Sequence, residues 1–163
     1  MIRVVVVAAL LACVCGPTDA KESPKRFGSW SVTAESSRFG DGGSHVALVL
    51  NRNASVGLAV RCMQKKLSLA VAEFDPVRSL TVGEIYKIKF RVDDGSVLDF
   101  SGAAINSSMF EIEIAASVAQ LIEDGKETTV RISSPAGVSH DATFDTRLAK
   151  AAFKALSRDC PID

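Results

Sequence analysis

Ser139-His140-Asp141 brings the three residue types of a hydrolytic triad into one stretch. Consecutive residues on a strand point to opposite faces, so these three cannot serve one another as nucleophile, base and orienter. The chain also lacks a Gly-x-Ser-x-Gly elbow. The stretch therefore reads as an exposed loop or strand edge. His45 and His140 are the two imidazoles, and neither has a partner at metal-ligand spacing. Asp93-Asp94-Gly95 lacks the ligand series of a calcium loop and reads as a hairpin turn. Glu111 and Glu113 are two apart and share one strand face. That spacing predicts cross-strand pairing with Lys87, Lys89 or Arg91 in place of a glycosidase-like pair. No catalytic residue, metal ligand or cofactor site is assigned.

The four cysteines divide by position. Cys13 and Cys15 fall in an N-terminal export signal: Arg3 is followed by an uncharged apolar run, Val4 to Val14, then by Gly16-Pro17. Thr18-Asp19-Ala20 places small residues where a signal peptidase reads, so cleavage is expected between Ala20 and Lys21. Leu10-Leu11-Ala12-Cys13 loosely resembles a lipobox, which makes lipidation at Cys13 the alternative. Cleavage after Ala20 leaves two cysteines, Cys62 and Cys160, in an oxidising compartment, where a disulfide is the default. In the chain-entropy model, a loop of that length is worth up to about 4–5 kcal/mol. No other run resembles a membrane span.

Nineteen basic residues balance nineteen acidic ones, so no net field draws the chain to nucleic acid or anionic lipid. The 163 residues less a 20-residue signal leave 143, enough for one domain with a core. Residues 21–26 read as a flexible lead-in and 27–163 as a single β-rich domain. Most of it reads as short alternating strands: Trp30-Val32-Ala34, Val46 to Leu50, Leu58-Val60-Cys62, Leu67-Leu69-Val71, then Tyr86 to Val92. Gly40 to Ser44 and Gln64-Lys65-Lys66 read as turns. Later strands carry Leu98 and Phe100, then Phe110, Ile112 and Ile114, then Val130 and Ile132. Pro135-Ala136-Gly137 is a turn before a last strand ending near Phe144.

Two helices interrupt the pattern. Ser117 would cap a short one presenting Val118, Leu121 and Ile122, with Gly125 as its stop. A longer one is predicted from Thr146 to Asp159, capped by Asp145 or Thr146. Leu148, Ala149, Ala152, Phe153 and Leu156 would share its apolar face, ending at Cys160. A bond to Cys62 would then pin this helix to the sheet. Arg147, Lys150, Lys154 and Arg158 would form a basic stripe opposite. The stripe reads first as a solvated face and is also the best candidate surface for a partner. The predicted fold class is mainly β (α+β): an antiparallel sandwich or bent sheet with one short helix and a packed C-terminal helix.

Val60-Arg61-Cys62, the polar hairpin tip, Leu67-Ser68-Leu69, Arg91-Val92-Asp93 and Ala142-Thr143-Phe144-Asp145 lead into the helix that ends at Cys160. This series resembles the TagO-like periplasmic family associated with type VI secretion, over roughly residues 57–160. Phe27-Gly28-Ser29-Trp30-Ser31-Val32 is also similar to the opening of the invasion-associated locus B family, without the cysteine that normally follows that tryptophan. The first resemblance implies a non-catalytic periplasmic domain with a secretion-associated role and supplies no catalytic residue. The expected function is an exported envelope protein that binds another protein or an envelope component. The alternative is a secreted hydrolase or inhibitor-like protein; a deep pocket holding His45 or His140 beside a carboxylate would favour the hydrolase. Location would be periplasmic or secreted, with membrane contact only through a lipid on Cys13. Asn53-Ala54-Ser55 and Asn106-Ser107-Ser108 match the glycosylation sequon.

Overall fold

The computed structural model describes residues 23–35, 43–154, 156–158 and 160–162. Cys13, Ala20 and Lys21 lie outside these residues, as does most of the turn expected at 40–44. Among these residues, ten strands form one antiparallel sheet. They are β1 (Lys25–Phe27), β2 (Trp30–Glu35), β3 (Ser44–Leu50), β4 (Val56–Met63) and β5 (Lys66–Glu73). Then come β6 (Ile85–Val92), β7 (Leu98–Asn106), β8 (Met109–Glu113), β9 (Glu127–Ser133) and β10 (Ser139–Asp145). Two short helices, α1 (Ala116–Asp124) and α2 (Ala149–Phe153), also lie among the described residues. The expected lead-in is shorter than read, because its last two residues pair with β2: Lys25 opposes Val32 and Arg26 opposes Ser31.

The spatial order is β1-β2-β3-β4-β5-β8-β7-β6-β9-β10. The first five strands meander. The chain then crosses through residues 74–84, which include a 3-10 turn at Pro76–Arg78, to start a second meander, β6-β7-β8. That meander returns β8 to the side of β5, where Val71 opposes Phe110. The β9-β10 hairpin adds on beside β6. Alternation decides which side chains go inside. Leu58, Val60 and Cys62 are buried with Leu67, Leu69 and Val71, and so are Ile88, Phe90, Phe110, Ile112, Val130, Ile132 and Phe144. Each such side chain contributes about 1.5–3 kcal/mol by leaving water.

The sheet is bent hard enough for its ends to face each other. Four strands separate β5 from β10 in the hydrogen-bond order. Even so, His140 of β10 touches Glu73 of β5. The far end of β10 reaches β2: the Ser29 hydroxyl donates to Asp145, and the Trp30 indole donates to the Thr146 carbonyl. Phe153 of α2 packs edge-on against Trp30, with ring centroids 5.1 Å apart. The Cys62–Cys160 disulfide, Cα to Cα 5.9 Å, ties the C-terminal segment to the end of β4.

Both helices differ from expectation. α1 begins after Ala115, with no side-chain cap, and Ser117 lies inside it. Its buried face is Val118, Ala119 and Ile122, while Leu121 is 49% exposed. Gly125 does end the helix, but at φ −84° it is not left-handed. It is needed for space, since a Cβ there would stand 2.1 Å from Cγ1 of Val92.

The C-terminal helix is much shorter than the predicted Thr146–Asp159 and gives way to a separate 3-10 turn, Leu156–Arg158. Thr146 is buried, and its N–H bonds the Lys126 carbonyl, so it continues the sheet's edge and caps nothing. Leu148 then takes a left-handed φ of 65°, which no residue inside a helix can hold. That reversal leaves Leu148 60% exposed, off the predicted apolar face. Ala149, Ala152, Phe153 and Leu156 are buried as the periodicity requires.

Candidate functional site

Alternation also places polar groups inside. In β5 the inward positions Leu67, Leu69 and Val71 continue to Glu73, the last residue of the strand. In β10 the inward positions Phe144 and Ala142 continue back to His140. The bend brings these two strand ends together: His140 Nε2 lies 2.5 Å from Glu73 Oε1. The Glu73 side chain has no exposure at all, while His140 retains 22%. The second carboxylate oxygen, Oε2, is buried and has no hydrogen-bond partner among the described residues.

Burial raises the Glu73 carboxyl above its ordinary value of 4.5. The charge and hydrogen bond of His140 pull it partway back, Arg78 helps them, and Asp75 opposes them. Such a pair can hold one proton between an inaccessible oxygen and a half-wet imidazole. Ser139 and Asp141 do not join it. They point to the opposite face, where Ser139 meets the Ser133 hydroxyl at 2.7 Å and Asp141 takes two hydrogen bonds from Arg131 at 2.6 and 2.7 Å. Those bonds hold Asp141 below the usual carboxylate range. The triad-like stretch is thus divided between two faces. His140 is on the sheet's edge strand but faces the core, against the expectation of an exposed position.

His45 stands on β3 opposite Cys62, far along the strand from Leu50, which marks the loop end. Among the described residues no three His, Cys, Asp or Glu side chains converge as metal ligands. The Asp93 turn has a structural role. Asp93 takes φ 47°, and its carboxylate accepts the N–H groups of Lys126 and Glu127, joining the β6-β7 turn to the start of β9.

Glu111 pairs differently from expectation because β8 lies between β5 and β7, away from β6. Its partners are Arg61, at 2.9 Å, and the Ser68 hydroxyl. Lys89 meets Asp99 instead, at 3.8 Å.

The basic stripe is broken up. Arg147 precedes α2 and is clamped onto Asp145 by two hydrogen bonds of 2.8 and 2.7 Å, which lower the Asp145 pKa. Lys150 and Lys154 line a cleft of about 430 Å³ facing Glu123 and Asp124 of α1, with Phe153 and Ile162 among the apolar lining. Arg158 lies in the 3-10 turn, and its side chain is outside the described residues.

A third feature was not foreseen. Four connections gather beyond the same strand ends. Glu73 N–H bonds Ser108 O, Phe74 N–H bonds Ser55 O, and Leu80 N–H bonds Ser107 O, while the Glu73–His140 contact adds the β9-β10 turn. Among the described residues, seven of the eleven exposed large apolar side chains lie here: Leu50, Phe74, Val77, Val82, Ile85, Ile105 and Val138. Phe74 and Leu50 also lean over Gly57, where a Cβ would meet them at 3.1 and 3.3 Å.

No family model matches the chain, and no curated protein matches it. Among solved structures, the fold is similar to the crystal structure of invasion associated protein B from Bartonella henselae. The TM-score is 0.57 at 13% identity, covering 84% of this chain and 97% of that one. At that identity the likeness shows the fold alone. It falls on the second of the two family resemblances; the TagO-like one gains no support.

Proposed function

We propose that the chain is an exported, non-enzymatic envelope protein that docks another protein through the apolar loop end of its bent sheet. The gathering of exposed apolar side chains on four loops carries this reading. Monomeric surfaces seldom concentrate apolar groups this way without a partner. Arg52, Asp75, Arg78 and Glu84 stand among them, charges of both signs such as rim a protein interface. A surface built for anionic lipid would carry one sign. The opposite end presents Lys65, Lys66, Asp94 and Lys126. The buried disulfide supports an oxidising compartment, hence a periplasmic or secreted location, with a lipid anchor at Cys13 as the alternative. A His–carboxylate pair exists, but the neighbouring Ser139 faces the other side of the strand, against the Ser133 hydroxyl, which supports docking over hydrolysis.

The test is site-specific photo-crosslinking in the envelope of the source cell, with a benzophenone side chain at Val77, at Val138 or, as control, at Lys65. The expected result is one shared adduct from Val77 and Val138 that excess unmodified protein competes away, and none from Lys65. No adduct, or equal adducts at both ends, refutes the proposal.

A further inference from the structure

Glu73 is the last residue before the chain leaves the sheet for the 74–84 crossover, and His140 is the second residue after the 134–138 turn. Their contact is therefore a cross-link between the roots of two connections. It does not extend a ladder, because four strands separate β5 from β10. Its two sides differ in access to water: the carboxylate has none, and the imidazole is partly exposed. With one proton shared, the pair has no net charge. Losing that proton leaves a full negative charge on a buried carboxylate whose Oε2 has no donor.

The charged groups facing the pair are few. From the crossover, Arg78 favours the charged carboxylate and Asp75 opposes it. Those two also meet each other at 3.7 Å. From β10, Asp141 faces away onto Arg131. β4 presents Val56 beside Glu73, and the β7-β8 turn presents the Ser108 carbonyl, so neither element brings a charge.

We propose that the Glu73–His140 contact is a proton-holding clasp that fastens the 74–84 crossover to the β9-β10 hairpin and loosens when the shared proton is lost. The clasp belongs to the fold and stands whether or not a partner docks on that end. Its sign follows from the carboxyl being held above its ordinary 4.5 by burial. A group raised on folding contributes its stability in full below its unfolded value and loses it as pH rises through the folded value. The clasp is thus tightest in acid and weakens toward neutral and alkaline pH.

The test is residue-resolved hydrogen exchange between pH 4 and pH 8, corrected for the intrinsic rate. The reporters are the amides of Leu80 and Gly83, which bond Ser107 and Ala104, and those of β10. In the native chain their protection should fall with pH, by at most about tenfold per unit, the limit for one proton. Glu73→Gln removes the buried carboxyl, so the fall in protection with pH should shrink in that variant. A flat native profile, or an unchanged slope in Glu73→Gln, overturns the proposal. A carboxyl carbon titration of Glu73 in the native chain needs no substitution, and a midpoint at or below 4.5 overturns it as well.

Discussion

Cutting the Cys62–Cys160 tie should remove a large part of this chain's stability. The two cysteines are 98 residues apart, so the bond closes a loop spanning most of the fold. A loop of that size removes about 4.7 kcal/mol of chain entropy from the unfolded state. Alanine at either position also removes one buried sulfur, which adds roughly 1 kcal/mol. Cys62→Ala and Cys160→Ala should therefore each lose about 6 kcal/mol, and the double variant only about 7. Simple addition would give about 12 kcal/mol, so the expected coupling is about 5 kcal/mol.

Native domains hold about 5–15 kcal/mol in total, so the series belongs in a stabilising osmolyte. Urea unfolding followed by fluorescence suits it. Trp30 is the single tryptophan, fully buried and packed on Phe153, and so reports on the segment the bond anchors. The reduced native chain should match the double variant apart from the sulfur contribution. Additive losses would refute the reasoning. So would a double variant in which Trp30 reports solvent while the sheet unfolds at its native midpoint, since the bond would then hold only the C-terminal segment.

Two further outcomes follow from the geometry and one from the sequence. Gln64 and Lys65 form a two-residue hairpin turn with φ 51° and 62°, so Lys65→Gly should raise stability by about 1 kcal/mol in chemical unfolding. Gly125→Ala should lower it by about 1–3 kcal/mol in the same assay, because the new methyl collides with Val92 rather than because of the backbone angle. Intact mass of the exported protein should begin at Lys21, with two thiols alkylated only after reduction. A lipid-modified mass beginning at Cys13 would instead establish a tethered lipoprotein.

What could be read from the sequence depended on the range of the interaction. Strand alternation is local, and it placed Leu58, Val60, Cys62, Ile88, Phe90 and Phe110 correctly. Helix periodicity likewise found Ala149, Ala152, Phe153 and Leu156. Thr146 and Leu148 escaped it because tertiary contacts override propensity there: one residue is held by Lys126 across the edge, and the next turn needs a left-handed step. The Asp93 carboxylate that holds the start of β9, and Arg61 beside Glu111, depend on strand order, which alternation does not encode. Glu73 and His140 are the instructive pair. Counting by two along either strand puts each on the inward face, so the signal was present in the parity. Parity alone does not single them out, because an inward carboxylate at a strand end is ordinary by itself. Only the bend that carries β10 over β5 turns two ordinary strand-end residues into a buried, proton-holding contact, and that bend is a property of the whole sheet.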